Sequence, residues 1–358
     1  MCEVLDHAHE LGKVIDDPLL RAVAQAVRAM WRLYLSGEPR RLFDEFLQAM
    51  AVIEASRNPS LIAQFKWKYS ALLLEDSQYE AAYRVAAEGA EASRTAGQMY
   101  DYLASLYGVH WSLMHHGRWG EGLTSLHDCQ QLCLKNDAHE PLALFRAQQA
   151  VFCIEILDFE GALAIAQPLW EQLRELPGHT FGHMLGAIAL AHCLMGLGDF
   201  QESARTFQEF MARVQKDNFI LESRMQKYLW TGLAHNWLIQ GNLDKARKAA
   251  ERVLPLCRDL LDRTFLAQGH NLLAEIDEAE GKRQNARKHI SEALKIVECE
   301  DPVILPAARR VYSIASRLLD GGPELRNKAE RVIEALGASL LNHPELQRKF
   351  VGRARSFA

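Results

Sequence analysis

Apolar residues recur along this chain at three- and four-residue steps, the spacing of one face of an α-helix. The pattern is clear in "YLWTGLAHNWLIQ", residues 228–240, and in "HNLLAEIDEAE", residues 270–280. Alternating runs of Val, Ile and Thr, which would predict strands, are absent. Breakers such as "SRNPS", "LPGH" and "NHPE" stand where helices should end, and Pro302, Pro323 and Pro344 are placed to start helices. The pattern predicts an all-α chain.

A turn recurs at a nearly fixed interval. "LIQGNLDKARKAAERVL", residues 238–254, is followed forty residues later by "EAEGKRQNARKHISEAL", residues 278–294. The full series of turn positions is Gly37, Ser77, Gly117, Leu157, Gly198, Gly241, Gly281 and Gly321. The intervals between them are 40, 40, 40, 41, 43, 40 and 40 residues. Such a period is typical of a stacked repeat architecture.

Each unit of the period is predicted to be a hairpin of two helices. Five residues past each turn stands a mostly small residue: Leu42, Ala82, Gly122, Ala162, Ser203, Ala246 and Ala286. Twelve residues before each of these lies a second set: Met30, Ser70, His110, Ala150, Ala191, Ala234 and Ala274. Small side chains at both places would let two antiparallel helices approach closely. A bulky residue follows most turns by two positions, as in Trp119 and Phe159.

This combination of small residue, turn, aromatic residue and Ala resembles the tetratricopeptide (TPR) repeat. The resemblance covers residues 18 to about 300 well, and 301–342 more loosely. It implies a right-handed α-α superhelix, a solenoid of about eight TPR-like hairpins. The domains would be residues 1–17, a partial repeat or N-terminal cap; residues 18–300, seven hairpins of about forty residues; and residues 301–358, a terminal repeat and a capping helix.

The forty-residue unit is longer than the usual TPR unit. It is similar to the extended repeats in the C-terminal sensor regions of large bacterial ATPase and cyclase regulators of the maltose-regulon activator type. That resemblance implies a non-catalytic sensor segment in bacterial signal transduction or transcription regulation, with neighbouring domains or another protein as its partner and a small-molecule effector as a further candidate. The alternative is a free-standing scaffold that bridges two proteins. A homodimer through the N-terminal helix is a further hypothesis.

Composition and charge indicate which partners and which cellular compartment we expect for such a chain. The formal net charge is -5, with 41 Lys and Arg against 46 Asp and Glu, so we expect no direct nucleic-acid contact. No apolar run approaches the roughly 18 residues of a membrane span, and the charged N-terminal segment lacks the apolar core that a signal peptide would have. Seven scattered cysteines favour reduced thiols and a cytoplasmic protein. A basic tip, Arg348 to Arg355, is interpreted as a complement to a helix C-terminus.

The resemblance places the first helix of each hairpin along a concave groove. Positions eleven residues before the small second-helix residue should point inward: Trp31, Ala71, Trp111, Val151, His192, His235 and Glu275. Positions fifteen residues before it should do so as well: Val27, Trp67, Tyr107, Ala147, Ile188, Thr231 and Asn271. The candidate binding residues are therefore Trp31, Trp67, Tyr107, Trp111 and His115 in an aromatic cluster, and His192, Tyr228, His235, Asn271 and Glu275 in a polar one. The aromatic residues are equally interpreted as core.

No catalytic or cofactor motif accompanies the repeats. The sequence has no phosphate-binding GxxxxGK[ST] loop and no arrangement of nucleophile, base and orienting group. His179 and His183 have HxxxH spacing but lack the glutamate of a zinc hydrolase, and Cys129 and Cys133 are interpreted as buried small hydrophobes. The Lys and Asn ladder with which chaperone-binding TPR proteins hold a terminal carboxylate is missing. We therefore expect no metal, no cofactor and no enzymatic activity.

Overall fold

The computed structural model describes residues 7, 10–14, 17–36, 39–175, 181–216, 222–259, 262–299 and 305–356. Within these ranges the regular structure is α-helical, and no strand occurs. Residues 10–14 are helical, and the rest of the segment before Asp17 lies almost wholly outside the described part. The all-α class is confirmed.

The helices from residue 18 onward are numbered here in chain order. They are α1 (Pro18–Ser36), α2 (Pro39–Ala55), α3 (Pro59–Glu75), α4 (Tyr79–Ala96), α5 (Met99–His115), α6 (Trp119–Lys135), α7 (His139–Glu155), α8 (Phe159–Glu175), α9 (Phe181–Gly196), α10 (Phe200–Lys216), α11 (Glu222–Ile239), α12 (Leu243–Asp259), α13 (Arg263–Ala279), α14 (Arg283–Val297), α15 (Leu305–Leu318), α16 (Gly322–Ala338) and α17 (Pro344–Ser356). Successive pairs, from α1 and α2 to α15 and α16, are hairpins 1 to 8.

The turn inside each hairpin has the left-handed backbone that the repeated sequence signal implies. All seven predicted turn positions in the described part have positive φ: Ser77 57°, Gly117 71°, Leu157 63°, Gly198 88°, Gly241 73°, Gly281 77° and Gly321 85°. Gly37 lies outside the described residues. Leu157 adopts this conformation without being glycine, which is costly for a bulky side chain. Its turn is therefore held by its surroundings, described below.

The two sets of small residues lie where the helices of a hairpin touch. Ala82, Ala162, Ala246 and Ala286 of the second helices are fully buried. Ala150, Ala191, Ala234 and Ala274 of the first helices are fully buried as well. In hairpin 5 the contact is direct, because the Ser203 hydroxyl donates to the carbonyl oxygen of Ala191 at 2.7 Å. The close helix approach predicted from spacing is confirmed.

The chain divides into two compact units. The first comprises residues 1–112, 219–224 and 258–262, and the second comprises residues 113–218, 225–257 and 263–358. The core of the first unit is built around Phe46 and Phe65, which lie 6.5 Å apart between ring centroids. One core cluster of the second unit joins Ala234, Ala246 and Ala250 to Leu272 and Ile276. Each unit thus buries alanine-rich helix seams lined by larger apolar residues.

Within the second unit, the C-terminal end of the chain packs against hairpins 3 and 4. The Gly120 amide donates to the Ser339 carbonyl oxygen at 3.1 Å, and the Trp119 amide donates to the Ser339 hydroxyl at 3.3 Å. The Trp119 ring meets Phe350 of α17 edge-on, with 4.9 Å between centroids. We call this set of contacts, with the ion pairs described next, the C-terminal closure.

Ion pairs extend the C-terminal closure to the turn of hairpin 4. Lys349 Nζ lies 2.9 Å from Asp158 Oδ1, and Arg353 pairs with Glu160 at 2.6 Å while donating to the Leu157 carbonyl oxygen. The hydrogen bonds from Arg353 lower the pKa of Glu160 to about 2. Arg353 and Arg355 lie in the last turn of α17, where the sequence placed them as a complement to a helix end, and they also pair with acidic side chains.

Among the described residues, no helix is long and apolar enough to cross a membrane.

Candidate binding site

A network of polar side chains occupies the first-helix side of hairpins 6, 7 and 8. Arg310 Nη2 of α15 donates to Glu275 Oε2 of α13 at 2.7 Å and lies 2.9 Å from His235 Nε2 of α11. Asn271 Nδ2 donates to the same Glu275 oxygen at 3.1 Å. These four residues, His235, Asn271, Glu275 and Arg310, are called the Arg310 cluster. It spans three hairpins and 75 residues of chain.

Repeat geometry explains how the cluster assembles. His235 and Glu275 occupy equivalent positions of neighbouring hairpins, each one residue after a fully buried alanine, Ala234 or Ala274. Asn271 lies one helical turn before Glu275, so the two side chains share a face of α13. Arg310 reaches this face from α15 because its side chain is long and its fork offers several donors. The polar groups are therefore set by stacked helices rather than by loops.

The cluster is not saturated by hydrogen bonds. Asn271 is only 2% exposed, yet its Oδ1 has no hydrogen-bond partner among the described residues. The same holds for Oγ1 of half-buried Thr231, which occupies the Asn271 position of the preceding hairpin. A buried acceptor left unpaired costs roughly 1–3 kcal/mol. An unpaired buried atom calls for an explanation, and a bound molecule that completes its hydrogen bonding is one.

His192 and His235, the two histidines among the predicted polar binding residues, are both held neutral. Burial lowers the pKa of His192 to about 4. Burial, and then the charge of Arg310, lowers the pKa of His235 well below its ordinary value. Arg310 approaches both ring nitrogens of His235, Nε2 at 2.9 Å and Nδ1 at 3.4 Å. A neutral imidazole has one acceptor nitrogen, so only one of these two contacts is a hydrogen bond, and the shorter one to Nε2 fits best. Positive charge at this site therefore comes from arginine.

The structure groups the predicted polar residues only in part. His235, Asn271 and Glu275 are linked through Arg310. His192 packs edge-on against Phe207 at 5.2 Å between centroids. Tyr228 packs instead against Phe265 at 4.5 Å, in an apolar cluster with Val253 and Cys257. Arg310 itself was missed by sequence reasoning.

The predicted aromatic cluster falls mainly in the first unit. Trp67 Nε1 donates to Asp101 Oδ1 at 2.8 Å, and Lys68 Nζ lies 4.3 Å from the Trp67 ring centroid. Burial lowers the pKa of Lys68 to about 8. Tyr107 and Trp111 meet edge-on at 5.9 Å, and Trp111 is only 6% exposed.

The two remaining members of that prediction are placed differently. The side chain of Trp31 lies outside the described part of the chain. His115 belongs to the second unit and is half-buried.

The candidate metal and thiol residues that the structure describes are buried. No group of three metal-ligating side chains occurs among the described residues; His183 is 7% exposed, and His179 lies outside the described part. Burial raises the pKa of the Cys129 thiol to about 12 and that of Cys133 to about 11. Thiols of this kind behave as small hydrophobes rather than nucleophiles.

The arrangement of hairpins, turns and small residues defines a TPR-like helical repeat protein. Similar solved structures agree with this class. A Rap protein complexed with competence and sporulation factor superposes with a TM-score of 0.62 at 14% identity, covering 99% of this chain and 92% of that one. NprR in complex with its cognate peptide NprX superposes with a TM-score of 0.55 at 12% identity, covering 92% of this chain and 98% of that one.

Comparison by sequence gives no relative. No protein-family model matches the chain, and no curated protein matches it. The maltose-regulon activator resemblance is not confirmed. At identities of 14% and 12%, the two structures establish the fold alone.

Proposed function

We propose that this protein is a non-catalytic binding module that holds a peptide segment against the Arg310 cluster of the second unit. The observation that carries the proposal is Asn271, whose buried Oδ1 lacks a partner beside an ordered network of charged groups. A peptide backbone supplies N–H donors at regular spacing, and these match the free acceptors of Asn271 and Thr231.

Two further observations support the proposal. The stacked first helices fix these side chains in place, which lowers the ordering cost of binding. Of the similar structures, NprR was solved with a cognate peptide and the Rap protein with competence and sporulation factor.

Ligand binding would act by shifting the populations of alternative hairpin arrangements. A ligand that bonds Asn271 and the Arg310 cluster favours arrangements in which α11, α13 and α15 keep their present spacing. It disfavours arrangements in which the hairpins spread. The readout would be an altered affinity for a protein partner or for neighbouring domains of a larger bacterial regulator.

Affinity selection from a pool of random-sequence heptapeptides, read by mass spectrometry, tests the proposal. Wild-type protein should retain a reproducible subset, and Asn271→Ala should retain those peptides about tenfold less well because one buried hydrogen bond is lost. Asn285→Ala is the matched control, since Asn285 lies exposed on α14 of the same hairpin. Retention of nothing by wild type, or equal retention by folded Asn271→Ala, would contradict the proposal.

A further inference from the structure

Two histidines of hairpin 7 face each other where its helices pack together. His270 lies on α13 and His289 on α14, and their Nδ1 atoms are 3.2 Å apart. The ring centroids are 5.5 Å apart, and the ring planes are tilted by 35°. Both residues are half-buried, and the side chain of His289 keeps 26% exposure, so a small ion can reach the pair from solvent. We call these two residues the histidine pair.

The distance between the two nitrogens matches that of two ligands on one metal ion. Zn²⁺ binds an imidazole nitrogen at about 2.0–2.1 Å with tetrahedral angles, and two such bonds place their nitrogens about 3.3 Å apart. A hydrogen bond between the rings also fits the observed 3.2 Å, at the long end of its range. The histidine pair therefore has the spacing of a metal chelate with little movement of either helix.

A buried carboxylate lies on the other side of the His289 ring. Asp277 is fully buried, and its Oδ2 is 3.8 Å from His289 Nε2. Among the described residues this oxygen has no hydrogen-bond partner, although Oδ1 accepts from Arg247 at 2.5 Å. Metal-bound histidines almost always donate their second ring N–H, often to a carboxylate. The charge of Asp277 favours a proton on His289 Nε2, which leaves Nδ1 as the ligand atom.

We propose that His270 and His289 bind a divalent transition-metal ion of the zinc class through their Nδ1 atoms, with Asp277 as a positioning residue for His289. Imidazole suits Zn²⁺, Ni²⁺ and Cu²⁺. Two histidines are fewer than the three or four protein ligands of known zinc sites, so water fills the other positions and the ion exchanges with solvent. The proton that bridges the rings in the free protein moves to Nε2 of its own ring, and no net proton is released.

The metal would join the two helices of hairpin 7 beside the Arg310 cluster. His270 directly precedes Asn271 on α13, and Glu275 lies five residues after His270. An ion that binds the folded hairpin in preference to the unfolded chain stabilises the contact of α13 with α14. The inference does not depend on peptide binding. It departs from the expectation of no metal because the two histidines lie 19 residues apart on separate helices, outside the short spacings of metal motifs.

Calorimetric titration of the metal-free protein with Zn²⁺ tests the proposal, at about pH 7.5, where imidazoles are neutral. Wild type should bind one ion per chain, and His270→Gln and His289→Gln should each weaken that binding about tenfold or more, since one of two ligands is lost. Zn²⁺ should raise the melting temperature of wild type but of neither variant, and EDTA should reverse the rise.

Two further variants separate loss of a ligand from other effects. His289→Cys keeps a zinc ligand and should bind Zn²⁺ more tightly than His289→Gln does. His139→Gln is the matched control: His139 is 82% exposed, and its Nε2 lies 3.0 Å from Asp137 Oδ1, so it presents an imidazole beside a carboxylate on the surface. Its replacement should leave the affinity for Zn²⁺ unchanged.

Nitrogen NMR of the His289 ring tests the part assigned to Asp277. Asp277→Asn should increase the fraction of His289 with its proton on Nδ1, and an unchanged fraction would refute the positioning role. Absence of Zn²⁺ binding by wild type at millimolar concentration would overturn the proposal and identify the contact as a hydrogen bond only. Equal binding by wild type and both folded Gln variants would overturn it as well. Each of these results would leave the proposed function standing.

Discussion

Equivalent repeat positions are filled in opposite ways in the two units. In the first unit they carry Trp67, Tyr107 and Trp111, packed edge-on or hydrogen-bonded to Asp101. In the second they carry Thr231 and Asn271, with acceptors left unpaired. The same backbone pattern thus carries aromatic side chains that contact one another or Asp101 in one unit, and polar side chains with unpaired acceptors in the other. Position in a repeat indicates where a side chain points, and only its neighbours decide whether it is core or site.

Truncating one of these aromatic side chains should give the largest effect. Trp111→Ala removes a side chain that is 6% exposed, and we expect the first unit to lose about 3–5 kcal/mol of stability. Urea unfolding by circular dichroism and hydrogen exchange of α3 to α5 would measure this. Tyr100→Ala, at a position 64% exposed on the same helix, should cost under about 0.5 kcal/mol. An unchanged stability of Trp111→Ala would make the aromatic cluster a binding surface instead.

Acid should lower the stability of the second unit because of the buried side chain of His192. Its pKa is lowered to about 4 by burial, whereas an unfolded histidine titrates near 6.5. Between these values the unfolded chain binds a proton that the folded chain does not, so stability present above pH 6.5 is lost as pH falls towards 4. The loss approaches about 3 kcal/mol.

The measurement for His192 is the urea midpoint at pH 7 and at pH 4.5. His192→Gln should show a smaller difference between the two midpoints than wild type. His127→Gln, at an exposed position of the same unit, is the control. A pH difference that is identical in wild type and His192→Gln would refute the assignment.

Disrupting the C-terminal closure should lower the stability of the second unit without changing any residue of the Arg310 cluster. A Cβ on Gly120 would lie 2.3 Å from the Ser339 carbonyl oxygen, so Gly120→Ala should cost about 1–3 kcal/mol and raise hydrogen exchange in α17. Gly352→Ala is the control within α17 itself, because a Cβ there meets nothing within 4 Å. Equal exchange in the two variants would mean that the closure contributes little.

The smallest expected effect comes from comparing a hydroxyl group without a hydrogen-bond partner, that of Thr231, with one that has a partner, that of Thr206. Thr231→Val removes a hydroxyl whose oxygen has no partner, so stability should be unchanged or rise by up to about 1 kcal/mol. Thr206→Val is the counterpart, since Thr206 Oγ1 donates to the Glu202 carbonyl oxygen at 2.9 Å, and it should lose about 1 kcal/mol. If Thr231→Val is the more destabilising of the two, the hydroxyl is already satisfied and the comparison fails.

Local features were predictable from the sequence and long-range ones were not. The turn at Leu157 was placed correctly without a glycine because the interval of the repeat fixed it, and the approach of Ser203 to Ala191 followed from their spacing. Arg310 was missed because it lies 35 residues after Glu275, out of step with the forty-residue ladder. Its long side chain makes up that difference, and no local pattern reports such a reach.

The C-terminal closure was beyond sequence reasoning for a related reason. Gly120 and Ser339 are 219 residues apart in the chain, and their contact depends on the accumulated rotation of every hairpin between them. Small errors in each step would add up to a large error at the end.

The contact between Ser339 and Gly120 also restricts how this chain can evolve. An open stack of repeats can gain or lose a unit by gene duplication or deletion, since each unit meets only its neighbours. Here a unit added or removed between residues 120 and 339 would displace one partner from the other. Keeping this contact therefore requires a fixed number of hairpins in that span, and changes that preserve it must be substitutions inside them.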